Sequence, residues 1–192
     1  MNIRYLGHSA FELRHDGTTV LVDPWLTGNP KATVTADELE ADAIAVTHGH
    51  FDHVGDAVAI SKRTGAPVVA IVELAGELDA AGATTIGPNI GGSATFGWGS
   101  VRLTPAWHTS TTSKGLVSTP AGVVIRSGDV AVYHLGDTAL FSDLALPRRR
   151  EQIDIAIVPI GGHYTMDRFD AVVAAELVGA GVVIPCHYNT FP

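Results

Sequence analysis

His48-Gly49-His50-Phe51-Asp52-His53 packs four metal-competent side chains into six residues. The run is preceded by Ala43–Thr47, a short apolar stretch that reads as a buried strand, and followed by Val54–Thr64, which reads as a helix closed by Gly65 and Pro67. A loop between a buried strand and a helix can aim several side chains at one point, because the scaffold fixes where they start. His48 and His50 lie two apart, so an extended backbone turns both to one side, where they can chelate one ion. Asp52 and His53 fall where the helix begins, rotated away, and can hold a second. Imidazole and carboxylate together suit zinc, iron, manganese or nickel. At this chain's composition the pattern H-x-H-x-D-H arises by chance in roughly one such sequence in a thousand, so it is read as a metal motif.

On either side the chain alternates between two rhythms. Ile3–Leu6, Ala10–Arg14 and Thr18–Val22 read as hairpin strands, followed by a breaker-rich loop from Asp23 to Pro30. After the metal run come strands at Val68–Ile71 and Thr84–Ile86 around a helix at Glu73–Ala81. Hairpin strands return at Ser93–Phe96, Ser100–Pro105, Gly122–Arg126 and Val130–Leu135. A helix-like segment at Ala139–Leu146, a strand at Ile155–Ile160, a helix at Arg168–Val178 and a strand at Val182–Pro185 complete the chain. Hairpins then strand–helix alternation, twice over, describe a mixed α/β (α+β) chain. Two sheets sit between helices, and residues 1–192 form one domain.

Four ligands cannot complete two sites, since a zinc-like site takes about four and a catalytic one keeps a position open. The missing donors should also lie at strand ends. Three do: His108 after the strand Val101–Trp107, Asp137 after Val130–Leu135, and His187 after Val182–Pro185.

Composition agrees with a metalloprotein. Nine histidines accompany only 12 lysines and arginines, and neutral imidazole is the commonest metal ligand. Apolar residues make up 46% and charged ones 17%, which excludes a disordered chain. A formal net charge of −8 argues against a stable nucleic-acid partner. The single cysteine, Cys186, can form no disulfide within the chain and reads as a small buried residue. With no signal-like start and no membrane-length apolar run, the expected location is cytoplasmic, without a membrane partner.

The order H-x-H-x-D-H, a later His, Gly-Asp, and a late His resembles the metallo-β-lactamase superfamily. Gly7-His8-Ser9, Asp23-Pro24-Trp25, Leu135-Gly136-Asp137-Thr138 and His187-Tyr188-Asn189-Thr190-Phe191-Pro192 are similar to a branch of small cytosolic metal-dependent hydrolases related to ascorbate-6-phosphate lactonase. The resemblance implies a four-layer αββα sandwich and two divalent metal ions, zinc first, with manganese, iron or nickel as alternatives. It implies that His48, His50 and His108 hold one ion, Asp52, His53 and His187 the other, and that Asp137 bridges them. Asp52 and Asp137 would also act in catalysis. Such relatives continue into a further helix and strand, which a chain ending at Pro192 lacks; a homo-oligomer is one way to cover that edge.

Around the ligands, the resemblance gives Asp23 the task of supporting the histidine loop, and Thr47 is placed to help it. His8 and His163, each close after a strand, are expected at the site rim, and Lys114 is expected to meet an anionic substrate group. The implied chemistry is hydrolysis of an ester, lactone or phosphoester of a small, phosphorylated or unphosphorylated substrate, by a hydroxide shared between the ions. Phosphodiester cleavage in nucleotides or lipid head groups is the alternative within enzymes. A redox or non-catalytic di-metal protein is the alternative outside them.

Overall fold

Asn2–Gly7 (β1), Ala10–His15 (β2) and Thr18–Val22 (β3) form an antiparallel meander. Its second turn uses Asp16 (φ 46°) and Gly17 (φ 79°), the left-handed pair that a two-residue hairpin requires. The computed structural model describes residues 1–191. From β3 the sheet continues in parallel through Ala43–Ala45 (β4), Val68–Val69 (β5) and Thr85–Ile86 (β6). The crossovers carry the helices Phe51–Val54 (α1), Ala57–Thr64 (α2) and Val72–Ala80 (α3).

The second half repeats this plan. Ser93–Phe96 (β7), Gly99–Pro105 (β8), Ala121–Ser127 (β9) and Val130–His134 (β10) are antiparallel. Ile155–Pro159 (β11) and Val182–Cys186 (β12) then join in parallel, with helix Pro147–Arg150 (α4) between β10 and β11 and helix Arg168–Val178 (α5) between β11 and β12.

The layers follow from the two-residue period of the strands. Val123, Ile125, Val132 and Ile157 pack in one core with Leu6, Phe11, Leu21 and Ile44 of the first sheet. Their neighbours Val124, Ala131, Tyr133, Ala156 and Val158 face the opposite way and pack on Ala171, Ala174 and Val178 of α5. Ile60 of α2 and Leu74 and Leu78 of α3 cover the first sheet. The result is an αββα sandwich. Among the described residues no helix is long and apolar enough to cross a membrane.

Three expected elements differ in extent. The helix expected over Val54–Thr64 is split at Gly55 (φ 40°), and Asp56 turns its carboxylate to the amides of Leu26 and Thr27. The first helical turn starts earlier, at Phe51, so Asp52 and His53 are helical. The helix expected at Ala139–Leu146 is instead a 3₁₀ turn at Ser142–Ala145 followed by α4. Pro147, with no N–H to give, opens α4 at its first position. The strand expected to reach Trp107 ends at Pro105; the Trp107 amide bonds to Thr138 Oγ1.

Within each sheet β1, β3 and β4, and likewise β8, β10 and β12, run in the same direction. Their C-terminal ends deliver His8, Asp23, His48, His108, Asp137 and His187 to one edge of the sandwich. If the shared core holds the sheets together, Ile125→Ala should lower unfolding free energy by about 2–5 kcal/mol. Val172→Ala, on the exposed face of α5, should stay within about 0.5 kcal/mol. Urea denaturation of the two variants measures the difference.

Candidate metal centre

The histidine run is shaped by hydrogen bonds from outside it. Asp23 Oδ1 accepts the Thr47 amide at 2.8 Å, and Asp23 Oδ2 accepts the Thr47 hydroxyl at 2.6 Å. The same Oδ2 lies 2.7 Å from His53 Nδ1, which fixes that ring with Nε2 pointing inward. Thr47 Oγ1 is 3.0 Å from His48 Nδ1 and turns the His48 Nε2 inward as well. The Gly49 amide donates to Ser110 Oγ at 2.9 Å. A Cβ at Gly49 would stand 2.9 Å from Thr112 Cγ2, so the close approach of these two loops requires glycine.

Three residues of the site hold left-handed backbone: His8 (φ 60°), Asp23 (φ 44°) and His187 (φ 56°). Non-glycine residues in that region cost on the order of 1–3 kcal/mol each and concentrate at functional sites. The His187 amide donates to the His8 carbonyl at 2.9 Å, joining two of these turns.

The seven expected ligands converge. One ligand atom each from His48, His50 and His108 lies within 4.8 Å of the others, and so do those of His8, Asp52, His53 and His187. His48, His53 and Asp137 form a third such group that joins the first two. Asp137 Oδ2 stands 2.9 Å from His187 Nε2, 3.3 Å from His53 Nε2, 3.6 Å from His108 Nε2 and 4.0 Å from His48 Nε2. That is the central position expected of a bridging carboxylate.

Two observations test whether this set fits metal ions. His53 Nε2 and Asp137 Oδ1 are buried and lack a hydrogen-bond partner among the described residues, an arrangement proteins avoid unless something else satisfies the atoms. The electrostatics of the cluster point the same way. Burial holds His48, His50 and His108 below the ordinary imidazole pKa and favours the neutral rings that can ligate; His48 Nε2 and His50 Nδ1 lie 2.9 Å apart in a hydrogen bond to each other. Burial would do the same to His53, but the charges of Asp137 and Asp23 outweigh it and drive its pKa well above the ordinary value. Asp137 is pushed up by burial yet ends well below the carboxylate range because of His53 and His187. His53 is thus pulled toward the cationic form by the carboxylates around it, which is what an excess of buried negative charge demands. The residues fit divalent cations.

Asp23 and Thr47 stand behind the cluster, hydrogen-bonded to each other and to His53 and His48. His8 is less a rim residue than expected. It is buried, its Nε2 meets Asp52 Oδ2 at 3.1 Å, and its ring lies against His187 with centroids 3.9 Å apart. Its grouping with the second set of ligands follows from the Gly7-His8 turn, which the sequence marks only as the end of a strand. The structure does not bring His163 or Lys114 into the cavity over the cluster. His163 is exposed in a neighbouring recess with Trp107 and Asp167. Lys114 lines a recess on the far side of Gly49 and Phe51, with Glu77.

The cavity itself has a volume of 410 Å³ and is walled by Phe51, Thr109, Tyr164 and Phe191 together with ligand residues. Sequence reasoning missed this aromatic wall, since the direction of an isolated aromatic side chain is set by tertiary packing.

The chain is similar to known proteins over nearly its whole length. The beta-lactamase superfamily domain matches residues 2–187. A UPF0173 metal-dependent hydrolase of Geobacillus thermodenitrificans is 47% identical, over 100% of this chain and 87% of its own length. A counterpart in Carboxydothermus hydrogenoformans is also 47% identical, over 100% of this chain and 86% of its own length. Among solved structures, Igni18, a metallo hydrolase from the archaeon Ignicoccus hospitalis, superposes with a TM-score of 0.89 at 40% identity. It covers 99% of this chain and 83% of its own.

Because Asp23 alone restrains both Thr47 and His53, Asp23→Ala should weaken metal binding about 10–100-fold, the usual cost of losing an outer partner. Competition against a chelator measures this; unchanged affinity in a folded variant would contradict the assignment.

Proposed function

The chain belongs to the metallo-β-lactamase superfamily and is a metal-dependent hydrolase, and from that premise we propose that it holds two divalent ions and hydrolyses a small neutral ester or lactone with an apolar body. Zinc suits the imidazole-rich donors best, with manganese, iron or nickel as alternatives. The two donor groups, with Asp137 between them, support the count of two. When bound, the ions supply a water acidified toward neutral pH and a Lewis acid for the carbonyl oxygen.

The chain's own residues do the rest. Asp52 and Asp137 stay ionised. Burial raises the Asp52 pKa, but the His8 hydrogen bond and the nearby His53 more than offset it. Asp52 Oδ2, steadied by His8 Nε2, is the acceptor placed to orient the attacking water. Phe51, Tyr164 and Phe191 hold the apolar part of the substrate and keep bulk water from the reacting carbonyl.

The observation that carries the substrate class is this wall. Its lining residues include no lysine or arginine, and Lys114, the expected partner of a phosphate, faces elsewhere. A phosphorylated substrate would meet no cationic side chain here, so the uncharged members of the ester and lactone class fit best. Igni18 and the UPF0173 proteins are described only as hydrolases and give no narrower substrate.

The test is a panel of neutral aryl esters, lactones and a phosphodiester, assayed with metal-free protein and after adding zinc or manganese. Turnover of esters or lactones should vanish on metal removal, return on metal addition, and be lost in Asp137→Ala together with bound metal. Full activity without metal would contradict the mechanism. Turnover of the phosphodiester alone would move the substrate to the alternative class.

A further inference from the structure

His134 is fully buried at the end of β10 and belongs to none of the groups of possible metal ligands among the described residues. Its backbone belongs to the second sheet, where it pairs with Val123 of β9 and Ile157 of β11. Its side chain reaches the first. The ring sits edge-on to Phe11, with centroids 5.7 Å apart. Nδ1 accepts the Gly136 amide at 3.0 Å, and Nε2 lies 3.3 Å from the Ser9 carbonyl oxygen. These contacts fix the tautomer. Gly136 N–H can only donate, so Nδ1 carries the lone pair; a carbonyl can only accept, so Nε2 carries the proton.

Both partners adjoin the site. Gly136 directly precedes Asp137. It holds φ 66°, and a Cβ there would meet the Ala121 carbonyl oxygen at 2.5 Å, so only glycine fits at this peptide. Ser9 directly follows His8, whose side chain meets Asp52 and whose carbonyl accepts the His187 amide. One imidazole therefore spans from the loop of the bridging carboxylate to the turn that steadies a ligand pair. A residue without both a donor and an acceptor would strand a buried amide or a buried carbonyl.

We propose that His134 is a positioning residue: through its Nδ1 bond to Gly136 it aims the Asp137 carboxylate between the two groups of donors, and through Ser9 it locks that loop to the His8 turn. The inference rests on the two-ion reading of the site. The Gly136 bond is the one that matters for Asp137, since it acts on the adjacent peptide, whereas the Ser9 bond acts on Asp52 and His187 through a further residue.

Two amide substitutions separate this from a mere packing role. In His134→Asn the side-chain oxygen can take the place of Nδ1 and keep the Gly136 bond. In His134→Gln the amide reaches toward the Nε2 position and leaves Gly136 N–H without its acceptor. Zinc affinity by chelator competition and the cobalt(II) absorption spectrum are read on wild type and both variants, with thermal unfolding alongside. His134→Asn should match the wild type in affinity and spectrum. His134→Gln should bind zinc about 10–100-fold more weakly, with an altered cobalt spectrum, although folded. If the wild type loads two ions and the two variants behave alike, both normal or both equally impaired, the role of His134 is overturned while the two-ion reading stands. If the wild type takes up no zinc, both fall together.

Discussion

Three carboxylates, those of Asp23, Asp52 and Asp137, are buried in one cluster of imidazoles. Removing a carboxylate from water costs several kcal/mol unless a counter-charge and hydrogen bonds offset it. Asp23 meets this condition internally, through Thr47 and His53. Asp52 meets it in part, through His8, and Asp137 through His53 and His187, with Asp137 Oδ1 left without a hydrogen-bond partner among the described residues. Burial keeps His8, His48, His50 and His108 toward the neutral form, and His53 alone is driven strongly toward the charged one. His53 Nε2 and Asp137 Oδ1 remain buried without a hydrogen-bond partner among the described residues, and cations at this cluster would satisfy them. Metal is thus part of the energetic balance of this edge as well as of its chemistry.

That requirement explains where the fold accepts strain. Six strand ends must deliver their next residues to one spot, and the turns that do so run through left-handed backbone at His8, Asp23 and His187. Each turn is then tied to another. The His8 carbonyl holds the His187 amide, Asp23 holds Thr47 and His53, and Thr47 accepts the Ala121 amide through its carbonyl. The doubled hairpin-then-parallel plan makes such a network feasible, because it aligns strand ends within each sheet and places both sheets around one core.

Much of this was legible in the sequence. The spacing of His48, His50, Asp52 and His53 is local and survives any fold that ends a strand before it. His108, Asp137 and His187 could be found because a strand end is a position with a known direction, even though the strand before His108 stops at Pro105. Asp23 also ends a strand, but its supporting role is read from the family resemblance. The failures share a cause. His163 and Lys114 also follow strands or ligands closely, but short turns intervene. Gly162 (φ 84°) carries His163 out beside Tyr164, and the Thr112–Gly115 turn carries Lys114 behind Gly49. Distance along the chain fixes proximity, and a single turn reverses direction. Phe51, Tyr164 and Phe191 come from three separate loops, and no local pattern joins them.

The central claim, that two ions sit in this cluster with Asp137 between them, is tested most directly by anomalous X-ray diffraction from zinc-loaded crystals. Two peaks should appear, on the order of 3.5–4 Å apart. One should be bound by His48, His50 and His108, the other by Asp52, His53 and His187, with the Asp137 carboxylate reaching both. A single peak, or two peaks that leave Asp137 unligated, would contradict the account.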